Sequence, residues 1–441
     1  MKKILATLFF ICFIQAQINP LWYNDKNYLG GGIGVTWINN QPYYSLRLFP
    51  EFEIGKVGIG LDLKFEYGAD GKLRTENFNE TSDYLSIIRY FRYGQKKDPF
   101  YFRVGALDYA SVGHGTIMYL YNNSPSYDAR KIGLELELNF NYYGMELVYG
   151  TFGQAGVLGM RGYLKPLTMA GSKIPILKDL EVGVSYFTDM NEYAGVVSGT
   201  YDKTTDLFTA TQDEGSINII GFDLGLPIFR NKLIDLDFYF DVNKIINFGS
   251  GAAAGFTLGV NGLGIVDIKT KFERRWNGKQ YIPSYFNSFY ELDRFQLDKN
   301  TGFINSKVQQ LKLATGNTNG YYGELLIRVL GTFNIMGSYQ RLDNVKNSGV
   351  LHLYTNLLPK ESSLVARAGY DKVNINSETS IFKLDDNSYL YAEFGYKPMK
   401  YLIVSMVYQW TFTPLRDAND NIIDFVPQKK VEPRISFVYP L

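Results

Sequence analysis

The feature that most constrains this chain is a regular alternation of apolar and polar residues in many successive segments. In segment 57–67, every odd position from Val57 to Tyr67 is apolar or aromatic, and every even position is Gly, Asp, Lys or Glu. Segments 132–140 and 234–242 repeat the pattern. Because successive side chains of a β-strand point to opposite faces, each segment predicts a strand with one apolar and one polar face.

The number and length of these segments argue against an ordinary soluble β-sandwich. We predict about twenty strands, most of about 9–12 residues, which is the length that a tilted strand needs to cross a bilayer. Strands of soluble proteins usually have only about five or six residues. The predicted strands are 28–38, 43–54, 56–67, 84–93, 100–109, 131–140, 143–151, 157–164, 180–188, 215–225, 232–242, 249–260, 263–274, 321–330, 332–342, 349–357, 363–372, 388–396, 400–411 and 430–441.

The connections between these strands differ with strand parity: those from an even-numbered strand to the next are short, and many of those from an odd-numbered strand are long. Short connections fall at 55, 141–142, 261–262, 331 and 397–399. Long ones fall at 68–83, 110–130, 189–214, 275–320, 373–387 and 412–429. The pattern predicts an all-β fold: a single transmembrane antiparallel up-and-down β-barrel of about 20 strands, with short periplasmic turns and long extracellular loops. The stretch 165–179 is a long gap on the short side, which leaves 18 or 22 strands open.

Composition agrees with strands rather than with membrane helices. The chain has 35 Tyr, 31 Phe and 43 Gly, which suit strands, tight turns and aromatic girdles. Mean hydropathy is −0.15, and no run of 18 apolar residues follows the N-terminal segment, so a transmembrane helix is not predicted.

The N-terminus has the pattern of a secretory signal peptide, which we assign to residues 1–16. Lys2 and Lys3 precede an apolar stretch, and cleavage is expected after Ala16. That stretch is too short to span ~30 Å of hydrocarbon. The remaining 17–441 would form one domain, the transmembrane β-barrel. Since the single cysteine lies within the signal peptide, disulfide and thiol chemistry are not expected.

Charge and histidine content limit the possible ligands. The 45 basic and 44 acidic residues nearly cancel, so a nucleic-acid partner is not expected. With only two histidines, His114 and His352, and no cysteine after the signal peptide, no zinc-ligand spacing exists. We therefore predict no metal site and no cofactor, and we expect His352 to be a residue of the barrel wall.

The C-terminus carries the pattern on which a resemblance rests. Alternate residues from Val431 through Phe437 and Tyr439 are apolar or aromatic up to the C-terminus. Here the chain resembles the Gram-negative outer-membrane β-barrel class, is porin-like in size, and is most similar to large uncharacterised barrels of Bacteroidota-like bacteria. The class usually ends in Phe or Trp, where this chain has Leu441.

The resemblance implies a location and a set of partners. The location is the outer membrane of a Gram-negative bacterium, and the surroundings are outer-membrane lipid and lipopolysaccharide. The barrel-insertion machinery would bind the C-terminal strand. A homo-oligomer or a surface protein partner remains open. Because 17–27 is too short for the plug of a TonB-dependent receptor or the helical hatch of a fatty-acid channel, we expect one barrel with loops and no appended domain.

Charged residues on the polar faces are predicted to point inward, because a Lys or Arg facing lipid at the bilayer midplane costs about 2–4 kcal/mol. They either solvate the lumen and pair with one another or form a charged constriction. Both signs occur, so no ion preference follows. The pore-lining candidates are Asp62, Lys64, Glu66, Arg103, Glu135, Glu137, Asp235, Asp237, Asp241, Arg328 and Arg367.

The segment from Ser111 to Asp128 is too apolar for a free outer loop, so we predict that it folds inward and narrows the lumen. The constriction-loop candidates are His114, Tyr119, Tyr121 and Asn122. A remote alternative is an outer-membrane lipid hydrolase using His114, Ser124 and Asp128, since a serine nucleophile needs a base and an orienting group. We predict no enzyme and no catalytic residues.

Three functions follow from the sequence. The first is a porin-like channel for passive passage of small hydrophilic solutes. The alternative is a non-conducting barrel that anchors a surface or secretion complex, and the hydrolase is third. The aromatic and basic residues of loop 275–320 either pack over the pore mouth or bind a sugar or a partner.

Overall fold

The computed structural model of the chain describes residues 27–78, 84, 87–153, 155–262, 265–330, 333–357 and 363–440. The predicted signal peptide lies outside these residues. Within them, 22 segments form one continuous antiparallel sheet. Two of the crossing strands are each broken into two segments, so the described part of the chain forms a closed barrel of 20 strands.

The barrel strands are numbered here in chain order. They are β1 (Tyr28–Ile38), β2 (Gln41–Leu48 and Glu51–Ile54), β3 (Val57–Leu61 and Leu63–Gly68), β4 (Ile88–Tyr93), β5 (Phe100–Gly105), β6 (Gly133–Asn139), β7 (Tyr143–Tyr149), β8 (Val157–Leu164), β9 (Glu181–Asp189), β10 (Ile217–Arg230), β11 (Ile234–Ile245), β12 (Ser250–Val260), β13 (Val266–Asn277), β14 (Thr318–Val329), β15 (Phe333–Leu342), β16 (Gly349–Leu357), β17 (Leu364–Ile375), β18 (Ser388–Met399), β19 (Leu402–Arg416) and β20 (Ile422–Pro440).

The barrel closes where the first strand pairs with the last. Each strand pairs antiparallel with its neighbour in sequence, and β1 also pairs with β20, with Gly31 opposite Phe437 and Ile33 opposite Ile435. A Cβ at Gly31 would lie 2.8 Å from the Phe437 ring, so glycine is needed for this close approach. Closure leaves the sheet without an exposed edge.

The outer surface of the barrel is apolar. In β19, Val404 and Met406 point outward, and their exposed fractions are 47% and 50%. Ser405 and Val407, which alternate with them, point into the barrel and are buried. Aromatic residues are exposed near the end with short connections. They include Phe100, Phe140, Tyr142, Tyr143, Phe229, Tyr396 and Tyr439. An apolar belt bordered by aromatic side chains is typical of a barrel that faces lipid.

The connections confirm the predicted up-and-down order and the strand number. Those at one end are short, apart from residues 165–180, which contain the helix α1 (Pro166–Met169) and a 3-10 turn (Leu177–Asp179). This exception is a structured longer turn and not a missed strand. The alternatives of 18 and 22 strands are therefore wrong for the described chain.

The remaining elements lie in the long connections. A hairpin pairs Val196–Asp202 with Leu207–Asp213, and a short ladder pairs Phe295–Leu297 with Ile304–Ser306. The other helical elements are α2 (Tyr290–Asp293), α3 (Lys307–Leu313) and the 3-10 turns Thr75–Asn77 and Glu378–Ser380. Among the described residues, no helix is long and apolar enough to span a membrane.

Three strands extend well beyond their predicted bounds, and the first is β19, which ends at Arg416 and not at 411. β20 begins at Ile422, not at 430, because it continues as a ladder with β19 in which Leu415 faces Asp424. β10 continues to Arg230, not 225, and accommodates Pro227 through a register shift between Pro227 and Phe229. A proline and a polar extension both interrupt the alternation that marks a membrane strand.

The outward face of β19 provides a test of the lipid-facing surface. We expect Met406→Arg to lower the free energy of unfolding by up to about 2–4 kcal/mol, because it places a guanidinium in hydrocarbon. Urea unfolding of the barrel in lipid vesicles measures the change. Met406→Leu is the control and should be near wild type; equal stability of the Arg variant would contradict the assigned face.

Candidate functional site

The interior of the barrel is occupied by the connection between β5 and β6, residues 106–132. The Tyr109 hydroxyl donates to Oδ2 of Asp371 on β17 over 2.9 Å. The Tyr127 hydroxyl donates to Oε1 of Glu66 on β3 over 2.6 Å. Since these partners lie on separate parts of the wall, the connection, here called the inward segment, crosses the lumen. That it narrows a conducting path stays a prediction.

The far end of the inward segment is held by an ion pair. The Arg74 guanidinium donates through Nη1 and Nη2 to the Asp128 carboxylate at 2.6 and 2.8 Å, and Gln428 donates to the same group at 2.9 Å. Burial alone would raise the pKa of Asp128, but Arg74 and Gln428 outweigh it and lower this pKa below its ordinary value. The carboxylate is therefore ionised at neutral pH.

His114 lies at the tip of a tight turn within the inward segment. Gly113 and Gly115 on either side have φ values of 59° and 83°, which glycine adopts without strain. The His114 ring stacks on Tyr239, with 4.3 Å between ring centroids, and its Nδ1 lies 2.9 Å from Oδ1 of Asp241. The turn thus holds the imidazole against β11.

Tyr119 sits where the inward segment meets β14. Its hydroxyl donates to Glu324, and its ring contacts Tyr322 edge-on with 5.2 Å between centroids. Tyr121 is fully buried and donates to Oε1 of Glu291 over 2.6 Å. Asn122, also buried, accepts from the Ser124 backbone N–H.

A second connection, residues 278–317, packs on the inward segment. Its side chains form an apolar core inside the barrel with Ile117 and Met118. The members from the long connection are Tyr281, Tyr285, Phe286, Tyr290, Val308 and Leu311. Loop packing, not display to a partner, is therefore their role in this structure. Arg274, Arg275 and Trp276 belong to β13 and not to the loop.

A buried ionic cluster fixes this connection to the wall. Both oxygens of Glu291 accept from Arg294 at 2.7 Å, and Arg294 Nε donates to Asp189 at 2.6 Å. Lys131 adds a further bond to Glu291. Burial would raise the pKa of Glu291, but the charges of Arg294 and Lys131 outweigh it and lower the pKa from 4.5 to about 2.

The eleven pore-lining candidates lie on the inner wall but in two environments. Seven are buried in ion pairs and hydrogen bonds: Asp62, Lys64, Glu66, Arg103, Glu135, Asp241 and Arg367. The other four are half-buried: Glu137, Asp235, Asp237 and Arg328. Their pairing is dense, with Asp62 accepting from both Arg47 and Arg130 at 2.6 Å. That these side chains line a conducting pore stays a prediction.

Sequence reasoning missed several interior charges that carry the same signal. Lys430, Glu432 and Arg434 alternate along β20 with outward apolar residues, and all three are buried. Arg161 is buried in β8 and pairs with three carboxylates. The alternation of apolar and polar residues would have identified them, since each lies between two residues of the outer face.

The hydrolase hypothesis is not favoured by the structure. His114 pairs with Asp241, whereas Asp128 pairs with Arg74. Ser124 Oγ donates to Asn123 Oδ1 over 2.9 Å and has no imidazole base in hydrogen-bond reach among the described residues. The inward segment carries the three residues to different partners, because His114 lies at the tip of a turn that is closed by backbone bonds between Ala110 and Tyr121, whereas Ser124 and Asp128 lie beyond this pairing. The other histidine, His352, is buried on β16 with Nδ1 2.8 Å from Asp371.

Two cavities meet at the inward segment. One of about 170 Å³ opens toward the short connections and is lined by Lys96, Asn261 and Arg328. Another of about 30 Å³ lies toward the long connections. Tyr119 and Leu120 line both. Tyr119 and Leu120 therefore form part of the boundary between the two cavities.

Comparison with known proteins gives similarity to solved structures only. No family model and no curated protein matches the chain. It is similar to OccK11 (OpdR) of Pseudomonas aeruginosa, with 10% identity, 96% of this chain and 99% of that chain covered, and a TM-score of 0.32. It is also similar to OccD3 (OpdP) of the same organism, with 11% identity, 95% of this chain and 92% of that chain covered, and a TM-score of 0.29. A third similar structure is the siderophore receptor PirA of Acinetobacter baumannii, with 7% identity, 95% of this chain and 81% of that chain covered, and a TM-score of 0.36.

The fold and the location rest on the chain itself. A closed antiparallel barrel with an apolar outer belt, mostly short connections at one end and the longest connections at the other is the architecture of Gram-negative outer-membrane proteins. The chain is therefore an outer-membrane β-barrel with a polar interior.

The ionic cluster of Glu291, Arg294 and Asp189 predicts that the stability of connection 278–317 inside the barrel depends on pH. Because the pKa of Glu291 is lowered in the folded state, its contribution to stability is complete above pH 4.5 and is lost as the pH falls toward about 2. We expect hydrogen-exchange protection of Tyr290–Asp293, corrected for intrinsic rates, to decrease in that range. Glu291→Gln should show low protection already at pH 7 and little further change; a wild-type transition near pH 6 would contradict the assignment.

Proposed function

We propose that the chain is a porin-like outer-membrane channel for passive passage of small hydrophilic solutes. The observation that carries the proposal is the pair of cavities that approach Tyr119 and Leu120 from the two ends of a closed, polar barrel. A solute crossing this barrel would exchange water for polar wall groups and would pass a short apolar constriction, where Leu120 packs with Met336 and Tyr354.

The charged lining supports a hydrated path. Interior carboxylates and cations are paired across the wall, for example Arg47 with Asp62 and Lys271 with Glu273 at 2.6 and 2.7 Å. Pairing lets both signs stay ionised inside the barrel at modest cost, whereas an apolar interior would exclude water. Mixed charge favours small hydrophilic solutes without a strong preference for one sign of ion.

The same proposal includes how the barrel reaches its membrane. Residues 1–16 would direct export, and the barrel-insertion machinery would bind β20, whose outward Ile435, Phe437 and Tyr439 continue the alternation to its end. Outer-membrane lipid and lipopolysaccharide would then surround the belt. We also propose that the chain comes from a Bacteroidota-like bacterium. Its partner would be a second copy of the chain or a surface protein.

Planar-bilayer recording of the purified barrel tests the channel function. Discrete single-channel steps are expected, together with uptake of small sugars into vesicles that contain the protein. A folded barrel that gives neither steps nor uptake would overturn the proposal and would point to the non-conducting anchor. Heat-modifiable migration on gels shows that the protein used is folded.

Tyr119 provides the sharper test, because it lines both cavities. We expect Tyr119→Ala to raise single-channel conductance at least about twofold, since the narrowest point of a path limits ion flow. Tyr119→Phe keeps the ring and loses only the hydroxyl, including its bond to Glu324, so its conductance should stay closer to wild type. Wild-type conductance in the Ala variant would place the constriction elsewhere.

A further inference from the structure

Three potential metal-ligating groups meet where the inward segment touches the wall. Ligand atoms of His114, Asp223 and Asp241 all lie within 4.8 Å of one another. Asp223 on β10 and Asp241 on β11 are directly opposite in the sheet register. His114 approaches them from the lumen, 127 residues away in sequence from Asp241. The expectation of no metal site rested on the spacing of ligand residues along the sequence, which cannot reveal a cluster formed by residues far apart in the chain.

A buried oxygen in this cluster lacks a partner. Asp241 is 2% exposed, and its Oδ2 has no hydrogen-bond partner among the described residues, while Oδ1 faces His114. Burial of an unsatisfied carboxylate oxygen is costly, more so than for a neutral polar atom. A bound cation would satisfy this oxygen.

The side chains around the cluster carry more negative than positive charge, which also favours a cation. Arg161 donates to Asp223 at 2.6 and 2.9 Å, and it also pairs with Glu146 at 2.9 Å and Glu181 at 2.7 Å. Three carboxylates thus share one guanidinium, and Asp241 adds a fourth carboxylate beside them. Asp223 and Asp241 are buried and Glu146 and Glu181 are half-buried, and a divalent cation would offset their excess negative charge.

The imidazole is held in place before any ion binds. Its ring is stacked on Tyr239 at an interplanar angle of 18°, and Lys271 donates to the His114 carbonyl oxygen. The Gly113 backbone N–H donates to Glu146 over 2.7 Å, which anchors the turn to β7. His114 also lines the 170 Å³ cavity, so an ion from solution has a route to the cluster.

We propose that His114, Asp223 and Asp241 bind a divalent transition-metal ion such as Zn²⁺. One imidazole nitrogen and carboxylate oxygens are ligands that Zn²⁺ accepts, and solvent from the cavity completes the coordination. Asp223 supplies one oxygen and keeps its contact with Arg161 through the other. Because His114 belongs to the inward segment and both aspartates to the wall, the ion joins the segment to the barrel.

Metal titration of the full-length protein in detergent tests the site. After chelator treatment, Zn²⁺ binding is measured by calorimetry, and Co²⁺ is used to record the absorption of the coordinated ion. We expect one ion per chain, and a loss of affinity of at least about tenfold in His114→Ala and in Asp241→Asn. His352→Ala, which removes the other histidine, is the matched control and should keep wild-type binding.

Two results would overturn the proposal: no stoichiometric binding by the folded wild type, or equal binding by His114→Ala. Circular dichroism and heat-modifiable migration confirm that each variant forms the barrel, and His114→Gln serves if the Ala variant does not fold. Because binding is measured without ion flow, the outcome is independent of whether the barrel conducts.

Discussion

Every backbone amide that lies in membrane hydrocarbon must find its hydrogen-bond partner within the protein. In this chain the requirement is met by the pairing of β1 with β20, which turns the sheet into a closed barrel. The even number of strands then places the start of β1 and the end of β20 on the side of the short connections. The outward face must be apolar along every strand, as Val404 and Met406 are in β19.

Closure also creates an interior, and the interior takes the charges that lipid would reject. Once inside, these charges need partners, and the chain supplies them from the wall and from two connections that fold inward. Arg74 with Asp128 and Arg294 with Asp189 show how the inward connections are held by ion pairs. The apolar core around Ile117 and Met118 forms between the same connections, so the lumen is narrowed by packed protein.

This arrangement separates the stable part of the molecule from the part that function would use. The wall is held by continuous backbone pairing, whereas the inward segment is held by side chains and by a few backbone contacts, such as those of Met118 with Phe286 and of Ser126 with Phe412. Tyr119 and His114 lie on that segment, one between the two cavities and one against the two opposed aspartates. Changes that release or tether the segment therefore act on the lumen without opening the sheet.

Alternation along the sequence determined the strands, their faces and the barrel class, because side-chain direction in a strand depends only on position parity. The bounds of β1, β8 and β16 agree with the predicted segments, whereas other bounds differ, for example at Pro227 in β10, in the polar outer part of β20 and at the end of β5, which stops at Gly105. The tertiary structure alone decided the contents of the lumen. The meeting of His114 with Asp241 depends on strand number, register and the path of a non-repetitive segment, and none of these has a local periodicity that a sequence displays.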